Sequence, residues 1–414
     1  MSSTHSNLLP DGVTRTPFSI YTDEELYRRE LERFFYAKHW CYIGLEAEIP
    51  NPGDFRLTEI GERQVIMTRT EDGSVSVVEN VCSHRGMRFC RKNTGNATEF
   101  RCPYHQWSYS LKGDLQGVPF LRGMKQDGRV NGGMPADFRR EDHGLVKLKV
   151  ATRGGVVFAS FDHDVEPLED FLGPEILKYF DRLFHGPKLT LLGYQRQRIP
   201  GNWKLIQENI KDPYHGGLLH TWFVNFGLWR ADNKSELIMD KHHRHGAMVG
   251  KRSEGGKGQA TVGITSFKNQ MELNDNRLLD VQDEPWWGEP TVVMLTLMPS
   301  VIIQQNVNSL VTRRIRPVSP GVFDYVWTYF GLESDDAAMT ERRLRQANLM
   351  GPAGYVSADD GEVVECVQES FASNPYGKTL TELGGREIDL HTDHIVSETL
   401  MRGMYDYWRR VMEA

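Results

Sequence analysis

Between residues 21 and 37 (YTDEELYRRELERFFYA) the apolar side chains Leu26, Leu31, Phe34 and Phe35 fall roughly on one face of a helix. Thr22 is placed to cap that helix, with Glu25 three positions later as in a capping box. From about Trp40 to Val157 the pattern shortens to β-type runs broken by glycine and polar turns: 64–68 (QVIMT), 74–78 (SVSVV), 145–150 (LVKLKV) and 155–160 (GVVFAS). These predict a compact antiparallel β domain. The helical period returns over 168–184 and 203–219, and residues 292–333 hold three strand-like runs, VVMLTLM, VIIQQNVNSLVTRRI and DYVWTYFGL. Two more helices are expected near 336–350 and 392–412, and 251–262 (KRSEGGKGQATV) reads as a mobile surface loop. The organisation expected is an N-terminal helix (1–38) packing on the last of the domains, a β-rich domain (39–157) and a larger α+β domain (158–414).

Composition narrows the classes. The 414 residues carry a net charge of −7 and five cysteines, which excludes a disulfide-stapled secreted scaffold. Residues 1–18 have no apolar core behind a basic start, and no apolar run is long enough to cross a membrane. Mild acidity without a basic stripe argues against nucleic acid as a partner. A cytoplasmic enzyme of two or three domains is the expectation.

Candidate chemistry begins with Cys82-Ser83-His84 and, seventeen residues on, Cys102-Pro103-Tyr104-His105. Two thiolates and two imidazoles bind either one tetrahedral zinc or a Rieske-type [2Fe–2S] cluster. Each loop here supplies one cysteine and one histidine, which suits a cluster whose two irons face both loops. Cys41, Cys90 and Cys366 read as buried or partly buried free thiols. Because neutral imidazole replaces thiolate on one iron, such a cluster has a raised potential and passes electrons to an oxidising site.

A second metal centre is sought in 202–220 (NWKLIQENIKDPYHGGLLH). Asp212 and His215 share a face if the segment is helical, and Gly216-Gly217 with Pro213 bends the backbone so that His215 and His220 converge. With a carboxylate from elsewhere they make the 2-His-1-carboxylate triad of non-heme Fe(II) oxygenases. The competing cluster His242-His243-Arg244-His245 reads as a solvated loop.

Together these motifs resemble the large (α) subunit of Rieske non-heme iron aromatic-ring hydroxylating oxygenases over nearly the whole chain. The resemblance implies an α+β fold: a β-rich Rieske [2Fe–2S] domain and a catalytic domain with a curved antiparallel sheet and helices, helix-grip or START-like. It makes Cys82, His84, Cys102 and His105 the cluster ligands. His215, His220 and Asp360 become the ligands of a mononuclear Fe(II), with Asp359 the near-miss. Asp212 is implied as the acid that bridges His105 of a neighbouring subunit to His215.

Segments such as KDPYHGGLLHTWF and GREIDLHTDHIVSETLMRGMYDYWRRVM resemble most the salicylate-hydroxylating branch. That implies an aromatic carboxylate substrate and O2. NAD(P)H electrons would arrive through a separate reductase and ferredoxin, and a small β subunit would complete an α3β3 assembly. Salicylate to gentisate is the expected reaction. Dioxygenation of another benzoate, such as anthranilate or terephthalate, is the alternative, and a pure electron carrier or zinc-stapled binding module is the reading outside enzymes. For the substrate carboxylate Arg313 and Arg402 are candidates, against an exposed strand end and a helix-surface charge respectively. Asn306 and Ser357 are candidate hydrogen-bonding groups and Met248 an adaptable apolar wall. Strand alternation puts Gln304, Asn306 and Asn308 on one face.

Overall fold

The structure, a computed structural model, describes residues 7–184, 186–222, 234–251 and 275–414. The loop expected at 251–262 lies outside these residues apart from Lys251, which ends a strand. Contacts divide the chain into two units: Tyr36–Val165, and Glu166–Ala414 together with the N-terminal segment to Phe35. The residues after 157 stay with the smaller unit because they are tied to its start. Phe161 packs edge-on to Tyr36, Ser160 Oγ donates to the Ala37 carbonyl, and Lys149 Nζ reaches the Val165 carbonyl at 2.8 Å.

In the smaller unit the expected short strands form Arg63–Arg69, Val75–Glu79 and Val156–Ser160. The run at 145–150 becomes a strand only from Lys149 to Arg153. A four-stranded antiparallel sheet (Val75–Glu79, Arg63–Arg69, Asp54–Ile60, Thr94–Asn96) leads into a small three-stranded one, Phe100–Arg101, Ser108–Tyr109 and Leu115–Gly117. Their shared core holds Phe55, Ile66, Val78, Phe100, Trp107 and Tyr109 with both Cys82 and Cys102.

The larger unit is built on one eight-stranded antiparallel sheet. Its order is Leu189–Ile199, Val322–Leu332, Ser309–Ser319, Val301–Asn306, Pro290–Leu297, Gly246–Lys251, Ser235–Met239 and His391–Thr392. The register fixes which side chains share a face. Thr296, Ile302, Arg313, Trp327 and Gln195 stand in one cross-strand row, and Met248, Met294, Gln304, Val311 and Tyr329 in the next. With a period of two, Asn306 and Gln197 join them on that face. Helices Trp203–Lys211, Ala337–Met350 and Tyr355–Ser373 cover it, through Lys211 to Thr296, Tyr329 to the Ala347 carbonyl, and Ser357 to Gln197. Helix Pro174–Leu183 covers the other face, where Arg182 donates to Gln305.

Several helices differ from expectation for local reasons. Asp23, not Thr22, caps Glu24–Glu30 by accepting from the Leu26 amide. The 168–184 helix breaks at Gly173, whose φ of 77° suits glycine. The last helix starts at Thr399, because 391–392 is spent on an edge strand. Helix Tyr355–Ser373 was not expected at all. Its mid-helix glycine is a packing device, since a Cβ at Gly361 would come within 2.6 Å of Gln197 Nε2.

The N-terminal segment anchors the larger unit through Glu30, which is fully buried. Its carboxylate accepts from the indoles of Trp203 (2.8 Å) and Trp408 (2.7 Å) and pairs with the buried Lys204 ammonium at 2.7 Å. Glu30→Gln leaves that ammonium without its counter-charge, so unfolding stability should fall by roughly 3–5 kcal/mol. Urea unfolding followed by tryptophan fluorescence checks this; an unchanged midpoint excludes the pair as a stabilising anchor.

Candidate cluster loops and metal centre

The two Cys/His loops share one hydrogen-bond frame. In each, the cysteine carbonyl accepts from the amide four residues on (Gly86 to Cys82, Gln106 to Cys102). The cysteine amide in turn donates to the carbonyl five residues on (Cys82 to Met87, Cys102 to Trp107). In each, the residue at the fourth position takes the left-handed conformation, Gly86 at φ 70° and Gln106 at φ 58°. In this frame the two imidazoles meet, and both cysteines lie in one core. The His84 and His105 ring centroids lie 4.5 Å apart, and His84 is clamped by a parallel stack on Trp107 at 4.6 Å. The thiols are buried and the imidazoles half-buried, so the histidines face outward. Buried His84 Nδ1 has no hydrogen-bond partner among the described residues, as a ligand atom should. Two thiols, two imidazoles and an orphaned ring nitrogen fit a [2Fe–2S] cluster.

The second centre forms where helix Trp203–Lys211 ends. Asp212 leaves helical geometry (φ −102°, ψ 89°) before Pro213, so the break comes earlier than Gly216-Gly217 and Asp212 and His215 do not share a helix face. The irregular turn swings His215 back, and His220 follows 3-10 turn His215–Gly217. Ligand atoms of His215, His220 and Asp360 lie within 4.8 Å of one another. Asp360 Oδ1 is 3.5 Å from His215 Nε2 and 3.3 Å from His220 Nε2, and Asn209 Nδ2 donates to the same oxygen at 3.1 Å.

Behind each imidazole stands a further acid. His220 Nδ1 donates to Asp359 Oδ2 at 3.1 Å, and His215 Nδ1 lies 3.4 Å from Asp212 Oδ2. A carboxylate only accepts, so Asp359 sets the His220 tautomer that carries its hydrogen on Nδ1, with Nε2 turned to Asp360. Asp359 thus touches His220 rather than standing aside, and Asn209 is a further polar group at the centre that spacing alone did not single out. Three carboxylates around two imidazoles make a site that fits a dication. Burial by itself would lower the His215 pKa, yet Asp212 and Asp360 outweigh it and hold it up at about 10.

The remaining candidates separate. Arg313 is buried at 2% exposure, not at an exposed strand end. Its guanidinium lies over Trp327 at 4.9 Å and near Met294 Sδ at 3.6 Å, its Nε has no acceptor, and it has no acidic partner among the described residues. Met248 and Asn306 share its sheet face and are half-buried; Asn306 Nδ2 lies 3.4 Å from Met350 Sδ. Asn308 leaves that alternation, because Val307 turns at φ 46° and Asn308 then donates to Glu284 and the Gln282 carbonyl. Ser357 Oγ donates to Gln197 Oε1 at 2.7 Å. Arg402 is fully buried rather than a surface charge, and donates to the carbonyls of Glu387, Thr381 and Leu383. In the 242–245 tract, read as solvated, Arg244 and His245 are buried; His245 Nε2 donates to the Phe171 carbonyl. Cys366 is exposed on its helix, whereas Cys41 is buried and Cys90 half-buried.

Comparison with known proteins follows the same division. The Rieske [2Fe-2S] domain matches residues 39–127, and the ring hydroxylating alpha subunit (catalytic domain) matches residues 181–414. The chain is 69% identical over 403 residues to the salicylate 5-hydroxylase large oxygenase component of Ralstonia sp, covering 97% of this chain and 95% of that protein. It is 39% identical to the anthranilate 1,2-dioxygenase large subunit of Burkholderia cepacia, covering 97% and 94%. Among solved structures, naphthalene 1,2-dioxygenase from Rhodococcus sp. bound to indole shares the fold, with a TM-score of 0.82 at 24% identity over 100% of this chain and 99% of that one. Among the described residues no helix is long and apolar enough to cross a membrane.

Two outcomes are expected of the metal centre. Asp359→Asn should weaken Fe(II) retention by roughly 10–100-fold while the visible spectrum of the cluster stays unchanged; equal iron content in both proteins would exclude the orienting role. Binding of Fe(II) to the metal-free centre must displace the His215 proton. Affinity should therefore rise from pH 6 to pH 8 with proton release into weakly buffered solution, and a pH-independent affinity would contradict the charge arrangement.

Proposed function

The chain belongs to the ring-hydroxylating oxygenase α-subunit family, and we propose that it is the large subunit of a multicomponent oxygenase that hydroxylates salicylate at C5 to give gentisate. The observation that carries the substrate class is Arg313, a buried guanidinium with no acid to neutralise it among the described residues, on the sheet face covered by the helices that bear the metal-ligand set. An unpaired buried cation is costly, and a substrate carboxylate held bidentately removes that cost. The similarity to a salicylate hydroxylase across almost the whole chain supports the same substrate.

Within this reading Cys82, His84, Cys102 and His105 hold the cluster, and His215, His220 and Asp360 hold the ferrous ion. When bound, the cluster supplies one-electron transfer and the ferrous ion supplies the positions at which O2 is activated beside the ring. The chain's own residues do the placing. Arg313 orients the carboxylate and Met248 packs the ring. The Ser357 hydroxyl hydrogen is committed to Gln197, so its oxygen is free to accept the substrate phenol hydrogen; Asn306 supplies a further polar contact. Arg402 is left to its backbone carbonyls. Asp212 is partly exposed, with Oδ1 accepting from the Tyr214 amide at 2.9 Å and Oδ2 turned to His215. That supports a bridge from His215 to the half-buried His105 of a neighbouring copy, and with it an α3β3 assembly with small β subunits. Ferredoxin and a reductase deliver the electrons of NAD(P)H.

Oxygen uptake with salicylate, a surrogate ferredoxin and reductase, and chromatography of the product test the reading; gentisate is expected. Arg313→Met should raise KM for salicylate roughly 10–100-fold, the loss of about 1.5–3 kcal/mol for a hydrogen bond to a charged group, with metal content unchanged. Salicylamide turned over as well as salicylate would exclude the carboxylate clamp. Formation of a cis-diol from anthranilate in place of gentisate would favour the dioxygenase alternative. Asp212→Ala should abolish turnover with cluster and iron both retained, and full activity would reject the bridge.

A further inference from the structure

Tyr325 is a second group on the Arg313 face whose polar atom is left without a partner. It lies in strand Val322–Leu332 at 1% exposure, and its hydroxyl has no hydrogen-bond partner among the described residues. Its ring meets Trp327 edge-on at 5.2 Å, and the Arg313 guanidinium sits 5.8 Å from the ring centre. Register puts Trp327 opposite Arg313 and Tyr325, two residues earlier, opposite Gln197. Gln197 is the residue that holds Ser357, accepting from its hydroxyl and donating to its carbonyl at 3.2 Å. Tyr325 thus shares a row with the residue on which Ser357 docks, one step along the face from Arg313.

Burial holds the Tyr325 phenol above its ordinary range, so it keeps its hydrogen at neutral pH. Arg313 draws it down and Asp360 pushes it up, so the hydroxyl lies in the fields of both groups. Phenylalanine would fill the same space without burying a hydroxyl that donates to nothing. Tyr325 lacks an acceptor and Arg313 lacks an anion. One carboxylate supplies both, since its two oxygens offer about four lone-pair positions and a guanidinium edge uses two of them. Salicylate carries its carboxylate and hydroxyl on neighbouring ring carbons, so the anchors of the two groups have to be neighbours as well. Arg313, Tyr325 and Ser357 follow one another across the face in that order.

We propose that Tyr325 is a specificity-determining residue that donates its hydroxyl hydrogen to the substrate carboxylate beside Arg313. The inference rests on the reading of Arg313 as the carboxylate anchor and adds a third donor to its fork. A fork alone grips one edge of the carboxylate, whereas a donor from the adjacent strand also fixes the plane in which the ring is presented. Trp327 backs the guanidinium as an aromatic platform and touches no substrate in this scheme. A carboxamide in place of the carboxylate turns an NH2 toward one of these donors and leaves it unmet.

Titration calorimetry of the iron-loaded enzyme without reductant separates this contact from turnover. Tyr325→Phe should raise the Kd of salicylate and of benzoate alike by roughly 10-fold, and that of salicylamide far less. The ligand-free Tm of the variant should stay level or rise, because the hydroxyl has no partner to lose. Unchanged Kd values overturn the proposal. So does a loss confined to salicylate, which would put the substrate phenol rather than the carboxylate on Tyr325. A lowered ligand-free Tm would make the hydroxyl a structural group and also counts against it. Wild-type enzyme that binds salicylate but forms no gentisate would refute the reaction instead, and the carboxylate contact would still be decided by the Kd values.

Discussion

A carboxylate buried at 3% exposure between two imidazole nitrogens is the constraint around which the larger unit is arranged. Ionised Asp360 in an apolar interior costs several kcal/mol unless cations and donors surround it. Helix Trp203–Lys211 supplies Asn209 directly, then has to stop so that His215 can turn back. Pro213 enforces that stop, since it carries no amide to continue the ladder. Helix Tyr355–Ser373 has to lie close to the sheet for Asp360 to reach the histidines, and Gly361 with the Ser357–Gln197 pair permits and holds that approach.

How buried charge is neutralised separates scaffold from chemistry. Arg343 is buried with Glu284 and Asp335 on either side, and Glu30 with Lys204 and two indoles. Each of these groups is met by partners from its own chain, and its work is structural. His84 Nδ1 and Arg313 Nε are buried with no partner among the described residues. Other buried atoms, Arg402 Nη2 and Trp327 Nε1 among them, lack one too, so what distinguishes His84 and Arg313 is their place, beside the Cys/His loops and on the sheet face under the covering helices.

Legibility in the sequence followed contact range. The cluster loops were readable because each Cys/His pair lies on one turn and both turns sit on short strands, so spacing reports geometry. His215 and His220 were readable as a pair, but their carboxylate lies about 140 residues on and came only with the family resemblance. The helix that carries it showed no clear apolar period: Asp359, Asp360 and Gly361 interrupt it for the sake of the metal and the close approach. Helix Trp203–Lys211 misleads in the opposite sense. Its Lys204, Gln207, Glu208 and Lys211 look like a solvated face, yet all are buried, with Glu208 pushed up to about 7 and Lys211 down to about 7 by burial. For Arg313 and Arg402 the exposed alternative fails, since both are buried; composition cannot tell a buried arginine from an exposed one.

The division of labour between helices and sheet has a consequence for specificity. The proposed metal ligands and the acids beside them all come from the ends or interiors of helical and turn segments, whereas Arg313, Met248 and Asn306 project from strands locked in register by neighbours on both sides. A strand residue that faces the covering helices can change size or charge without moving the backbone that places His215, His220 or Asp360. A change in the helix pair, by contrast, disturbs Asn209, Asp359 and Asp360 together. Substrate choice can therefore drift along the sheet while the oxygen-activating centre stays fixed, a physical route by which one fold serves several ring substrates.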